Sequence, residues 1–361
     1  MGEAASTNVF YPARPALRVD GRADLGLAAG LLSLAVHEDT AGLYRCEATF
    51  GNWGSGNGSV NFLYFDRSVL DFGKSLAVEV GDGDARAQVF AGRITALEGR
   101  FPQQCPPEIL VLAEDRFQDL RMVRKTRSFE NLGVADLVAR VAGDHGLRHE
   151  VAVDGPTFAL LTQVNQSDLA FLRECARRVD AELWLDGDTL HLQARARRKT
   201  AEVRLVYGQR LREFAACADL AGQRSALVVS GWDVSAKDSI EQRADAACLG
   251  AELDGGVSGQ RALEDSLGGR VERVVHEVPL DSGEARALAE SGYRHMARRF
   301  LTGHGLCEGD ARLRVGTHVQ LDSLGPLFSG RYYVTEAIHL FDQRLGFQTR
   351  FRVERPGLGR P

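Results

Sequence analysis

The chain has 361 residues, 44% hydrophobic and 26% charged, with a formal net charge of −5 at pH 7. That is length and apolar content for two or three domains with buried cores. The negative balance speaks against a dedicated nucleic-acid binder, which carries a basic face. No run of about 18 apolar residues is present to cross a bilayer.

In chain order, residues 1–14 read as a flexible arm. They lack the basic-then-apolar pattern of a signal peptide, and MGEAAS fits the N-myristoylation pattern only superficially. Strands are expected at residues 16–20, 30–38 and 43–50, where apolar residues alternate with polar ones. The stretch GNWGSGNGS, residues 51–59, holds no regular element cheaply because of its glycines. It lacks the Lys-Ser/Thr of a phosphate-binding loop and no helix comes after it. It reads as a mobile surface loop, with Trp53 as a contact residue. Segments 75–99 and 108–114 complete a first β module over residues 15–115. GDGD, residues 81–84, reads as a hairpin turn, since the later ligand positions of a calcium loop are missing.

Near Asp115 the periodicity changes. A short helix is expected at 117–123 and a longer one at 131–145, with Leu132, Val134, Leu137, Val138 and Val141 on one face and Gly146 as its stop. Strands at 151–153 and 158–164 lead to a helix capped by Ser167, with Leu169, Leu172, Cys175, Ala176 and Val179 as its apolar stripe. A hairpin across Asp186 and Gly187 closes an α+β insert over residues 116–194. RARRK, residues 195–199, reads as a linker. Its charge, like that of RMVRKTR at 121–127, fits a solvated face or an interface ion pair better than a phosphate site.

A second β module is expected over 200–355, with strands at 203–207, 211–217, 226–232 and 270–278. A helix at 282–301, capped by Ser282, turns Ala287, Leu288, Ser291, Met296 and Phe300 inward. Residues 233–269 carry no usable pattern. Further strands are expected at 315–321, 331–341 and 347–353, and residues 356–361 form a tail. The two β regions echo each other. Early, a strand and turn lead to Phe90, Ala91, Gly92 and Arg93 and a second strand. Late, a strand and turn lead to Phe328, Ser329, Gly330 and Arg331 and a second strand. The segments Phe90, Gly92, Arg93 and Phe328, Gly330, Arg331 read as equivalent points of two related modules.

No set of residues carries a recognisable chemistry. HExxH, GxSxG and a glycine fingerprint after a strand are all missing. The six cysteines are scattered without CxxC spacing and read as buried, reduced thiols. His145 and His149 are split by Gly146, His295 and His304 bracket a helix end, and His339 sits mid-strand as a packed or interface residue. Glu174 and Asp180 form no evident acid–base pair. Trp184 and Trp232 read as core or interface anchors. These residues point to a structural or assembly role, with no catalytic, cofactor or metal site.

Four stretches carry a resemblance: RPALRVDG, RSFENLGVADLVARVAGDHGL, QVNQSDLAFLRECARRVDAELWLDGDTLHL and FSGRYYVTEAIHLFDQRLGFQTRFRVER. Together they resemble the phage late control gene D family, the baseplate hub proteins of contractile phage tails and related injection systems. The third also resembles the hub part of type VI secretion spike proteins. The resemblance spans residues 14–355. It implies an α+β, β-rich fold: two similar antiparallel β-barrel modules with an α+β insert between them. It implies a non-enzymatic homotrimer that joins a six-fold inner tube to a three-fold spike. The implied partners are inner tube or tube-initiator proteins above, a separate trimeric spike protein below, and baseplate wedge proteins, with no nucleic acid and no direct membrane insertion. Synthesis and assembly would be in the bacterial cytoplasm. No OB-fold with a repetitive needle is present, so the spike is expected as a separate protein. Two other readings are a tail-associated cell-wall hydrolase and a hub fragment of a type VI secretion spike.

Overall fold

The structure, a computed structural model, describes residues 14–56, 59–81, 86–198, 200–234 and 236–360. Residues 1–13 of the expected arm over 1–14 and residues 82–84 of the GDGD turn lie outside the described residues.

The first β region contains β1 (Ala16–Val19), β2 (Arg22–Ala23), helix α1 (Leu25–Gly30), β3 (Leu31–Asp39), β4 (Arg45–Gly51), β5 (Gly54–Gly56), β6 (Ser59–Asn61), β7 (Ser75–Val80), β8 (Ala87–Arg100) and β9 (Glu108–Glu114). The alternation of the sequence is a real inside–outside pattern: Leu34, Val36, Cys46, Phe50, Val78, Phe90 and Val111 all turn into one core. The Asp24 carboxylate accepts from the Leu27 N–H at 2.9 Å and so starts α1. Part of the glycine-rich stretch, expected as a loop, is instead the short β5–β6 ladder. The buried Asn52 side chain ties down the chain after β6 by accepting N–H groups from Leu63 and Tyr64 at 3.0 and 2.8 Å.

The insert runs α2 (Phe117–Arg121), β10 (Arg124–Gly133), α3 (Val134–Asp144), β11 (Arg148–Ala152), β12 (Thr157–Ser167), α4 (Asp168–Arg178), β13 (Ala181–Asp186) and β14 (Thr189–Ala194). Residues 131–133, expected to open a helix, belong to β10. The polar run Arg124–Gly133 is extended because β12 ladders along its length. Gly146 ends the turn after α3 at φ +62°, as its lack of a Cβ allows. Leu137, Val138 and Val141 of α3 meet Phe171, Leu172 and Cys175 of α4 in a second core.

The remaining elements are β15 (Glu202–Val206), β16 (Leu211–Ala218), β17 (Ala226–Asp233), β18 (Asp238–Ala244), β19 (Val257–Ser258), α5 (Gly259–Leu267), β20 (Val271–Val274), α6 (Ser282–Arg298), β21 (Leu301–Glu308), β22 (His318–Asp322), α7 (Gly325–Phe328), β23 (Gly330–Asp342), β24 (Gly346–Arg355) and β25 (Gly357–Leu358). The unpatterned stretch 233–269 thus contains β18, a 3-10 segment at Ala246–Leu253, β19 and α5. The strand expected over 270–278 is only β20, which pairs with β17 and leaves the sheet after Val274. Asp281, not Ser282, caps α6 by accepting from the Glu284 N–H at 2.8 Å. Its stripe in that core is Ala285, Ala289, Tyr293 and Ala297, because the helix packs mainly on β17 and β18; of the residues expected inward, Ser291 and Phe300 are buried, and Leu288 and Met296 pack against the same core.

One 13-stranded sheet runs through both β regions in the order β16-β21-β24-β23-β3-β4-β9-β8-β7-β1-β2, with β22 and β15 branching from β23. All its pairs are antiparallel except β15 with β22. The fold is therefore β-rich with large antiparallel sheets and an α+β insert.

Candidate assembly interface

The two β regions match in strand order and differ in the direction of the last strand, since β1 runs antiparallel to β7 and β15 parallel to β22. The first reads β3-β4-β9-β8-β7-β1 and the second β16-β21-β24-β23-β22-β15, six strands in the same spatial order. Two of their irregularities coincide as well. The β8–β9 register slips at Thr95, just after Arg93 faces Glu114. The β23–β24 register slips at Thr335, just after Tyr333 faces Glu354. β3 slips against β4 at Leu32, and β16 slips against β21 at Arg212. Shared bulges at shared places are the mark of a duplicated unit, since each one re-aims a strand.

This alignment places Arg93 with Tyr333 and Phe90 with Gly330. The Phe-x-Gly-Arg echo in the sequence is thus two residues out of the structural register. Phe90 lies within β8 and is buried in the first core. Phe328 ends α7, half-buried, and its carbonyl accepts from the Tyr332 hydroxyl at 2.6 Å. Gly92 is required by close approach: a Cβ there would stand 2.3 Å from the Glu114 carbonyl oxygen. Gly330 has φ +141°, and a Cβ would stand 2.2 Å from the Arg355 guanidinium. Arg93 and Arg331 are exposed and reach Asp119 and Glu202 at 3.7 and 3.2 Å.

The two units join through one strand pair. β23 of the second unit lies antiparallel to β3 of the first, from Glu336 opposite Asp39 to Asp342 opposite Ser33. Phe341 crosses the seam into the first unit's core. His339 is fully buried at the seam, where its Nδ1 lies 3.2 Å from the Thr349 hydroxyl. Burial lowers its pKa to about 3 and keeps it neutral. Glu38, opposite Ala337, is buried against the Arg314 guanidinium, and burial raises its pKa despite that cation. His339, expected as a packed or interface residue, is packed between strands of the two units.

A second set of residues holds the insert onto both units. Of the arginines expected in a linker, Arg198 is buried and the Arg195 side chain is only 11% exposed. Arg198 bonds Glu182 at 2.8 Å and the Tyr44 hydroxyl at 3.2 Å. Arg195 bridges Glu182 at 3.3 Å and Glu354 at 2.7 Å, and lies 3.9 Å from the Tyr333 ring centre. The Tyr333 hydroxyl donates to Glu182. Glu182 therefore sits where the insert, the first unit and the second unit meet. Burial pushes its carboxyl up, but Arg195 and Arg198 prevail and hold it below the usual glutamate range. Arg298 of α6 extends the clamp to Asp180 and to Glu252, the latter at 2.7 Å. Beside it opens a cleft of about 1010 Å³, in whose wall Glu182 pairs with Arg195 and Asp180 with Arg298.

The motif QVNQSD serves the fold of the insert. Ser167 caps α4 by accepting from the Ala170 N–H, and Asn165 takes a left-handed φ of +46°. The buried Asp168 accepts from Lys125, Arg127 and Gln163 and lies 2.8 Å from His145 Nε2. Burial raises its pKa, but these bonds dominate and hold it at about 2. Glu174 and Asp180 are each committed to an arginine, at Arg178 and Arg298. Among the described residues, no group of three or more His, Cys, Asp or Glu side chains is set to hold a metal ion. All six cysteines are free, but Cys105 and Cys217 are exposed, against the expectation of burial. Trp184 stacks on Arg198 at 4.1 Å, whereas Trp232 is 54% exposed and anchors no core. No described helix is long and apolar enough to cross a membrane.

Trp53, expected as a contact residue of a surface loop, is 46% exposed. Trp53, Phe62, Phe65 and Phe101 form an aromatic cluster, with ring centres 4.8–6.4 Å apart, at the far end of β8. Phe101 is 66% exposed.

Residues 55–342 match the family model described as "Alg8 N-terminal domain". No curated protein matches the chain. Among solved structures, the 43 kDa tail protein of prophage MuSo2 from Shewanella oneidensis superposes with a TM-score of 0.69 at 14% identity, over 95% of this chain and 98% of that one. A tail protein from Neisseria meningitidis MC58 gives 0.66 at 13% identity, over 97% and 98%. The E. coli c3393 protein, a type VI secretion system component with structural similarity to T4 bacteriophage tail proteins gp27 and gp5, gives 0.57 at 13% identity, over 96% and 79%. These likenesses establish the fold as that of tail proteins.

Proposed function

The chain belongs to the Alg8 N-terminal domain family, and from that premise and its tail-protein fold we propose that it is the structural hub of a contractile tail-like particle. The hub is a homotrimer. Three copies present six matched β units to a six-fold tube while keeping three-fold symmetry toward a spike. The observation that supports this reading is the duplication itself, down to the shared bulges at Thr95 and Thr335. Three copies of a chain with one such unit would offer three surfaces; two per chain let three copies offer six near-equivalent surfaces.

On this reading function is binding, with no chemical step. Tube or tube-initiator proteins stack on the ring of β units. A separate trimeric spike protein and baseplate wedge proteins contact the other side, where the insert is free to project. The clamp at Glu182 fits the role, because a hub driven forward with its tube must keep its parts in fixed relation. The phage late control gene D resemblance points the same way, to a particle assembled in the bacterial cytoplasm.

Light scattering over a dilution series tests the proposal. A species of three times the subunit mass, stable to dilution, is expected. A chain that stays monomeric, alone and with its cognate spike protein, overturns it.

A further inference from the structure

Each β unit has a strand that is paired on both edges in one copy of the motif and on one edge in the other. β3 has β4 on one side and β23 on the other, but its counterpart β16, among the described residues, pairs with β21 alone beyond a single bridge from Leu211 to Tyr207. β23 has β3 beside its second half, but the second half of its counterpart β8, beyond Ile94, pairs among the described residues only with β9. The two open edges are therefore the two halves of the seam that already exists inside the chain. An open edge is a template for another strand and is seldom left long and uncharged. Here β16 leaves Ala215, Cys217 and Ala218 exposed, and β8 leaves Glu98, Gly99 and Arg100 exposed.

We infer that β8 of one copy pairs antiparallel with β16 of the next copy, in the register that β23 and β3 adopt within the chain. The inference rests on the trimeric reading above and names its interface. The internal seam sets the register. Ala337 faces Glu38, Ile338 faces His37 and Phe341 faces Leu34. Carried through the shared bulges, Leu97 faces Ala218 of the next copy, Glu98 faces Cys217 and Phe101 faces Phe214. Phe101 is the counterpart of Phe341. It would leave solvent as Phe341 does, beside Phe214, which already packs at the edge of the second unit's core. The small side chains of β16 leave room for the longer ones of β8.

Cysteine cross-linking tests the register with the full chain. Directly opposed residues of an antiparallel pair stand about 4.5–5.5 Å apart at Cβ, close to disulfide reach. In a Cys105→Ser background, Glu98→Cys is expected to cross-link under mild oxidant to the native Cys217 of another copy, giving covalent dimers and trimers. Peptide mapping should place the bond between positions 98 and 217, and adding Cys217→Ser should abolish it. Arg100→Cys, set about 7 Å further along the strand, should cross-link far less. Phe101→Ala should raise the concentration at which the trimer dissociates roughly tenfold. A protein that remains trimeric by light scattering, yet shows no 98–217 bond or cross-links better from position 100, overturns this seam and leaves the trimer standing. A monomeric protein overturns both.

Discussion

Phe341 and Phe101 occupy matching positions at the ends of β23 and β8, yet Phe341 is 3% exposed and Phe101 66%. The difference is a neighbour: Phe341 has β3 and the first core beside it, whereas Phe101 touches Phe62 and Phe65 and is otherwise open to solvent. Replacing them should separate folding from assembly. Phe341→Ala removes a packed ring and should cost about 3–5 kcal/mol in chemical denaturation. Phe101→Ala should change the stability of dilute, unassembled chain by about 0.5 kcal/mol or less while weakening self-association.

The buried clamp should be sensitive to loss of one charge. Glu182→Gln leaves Arg195 and Arg198 without their shared carboxylate. Breaking a buried pair from one side costs about 3–5 kcal/mol, so urea unfolding should shift by that order. A Glu182→Gln chain as stable as the parent would mean that solvent reaches the clamp.

The turn before β4 is fixed by close approach. Gly42 has φ +84°, and a Cβ there would lie 2.0 Å from the Leu183 carbonyl oxygen of β13. Gly42→Ala must both strain the backbone and push the insert away from the first unit. It should cost about 2 kcal/mol or more, read as a lower melting temperature.

Asp115 should make stability fall with pH. Its carboxylate accepts N–H groups from Tyr44 and Phe117 at 2.9 Å. Burial raises its pKa from the ordinary aspartate value to about 7. Between those values the folded chain holds a proton that the unfolded chain has lost, so stability drops as pH rises, by up to about 1.4 kcal/mol per pH unit. Asp115→Asn lacks this dependence. Measured by urea unfolding, Asp115→Asn should gain relative to the parent between pH 5 and 7, then hold a constant difference. A difference flat from pH 5 to 8 would contradict the assignment.

Much of the β architecture was legible because one-sided burial writes alternation into the strands, as at Leu34 and Val36 or Val78 and Val80. β10 and β18 were not, because Arg124–Gly133 and Asp238–Ala244 each bury few side chains and take their extension from the partner strand. The role of Arg195 and Arg198 was hidden for a similar reason. RARRK looks solvated until Tyr44, Glu182 and Glu354, far apart in sequence, are brought around it. The duplication was visible as an echo but misaligned, since its true register is written in bulges at Thr95 and Thr335 and not in matching letters. Phe101, with a proline-containing loop after it, gave no periodic signal; its exposed position beside Phe62 and Phe65 emerges only in the fold.

The most direct test of the trimeric hub is electron microscopy of the purified chain, reconstructed without imposed symmetry. The expected result is a closed ring of six similar β units, arranged as three pairs, with three inserts projecting from it. A ring with any other number of units, or separate single chains at every concentration imaged, would contradict it.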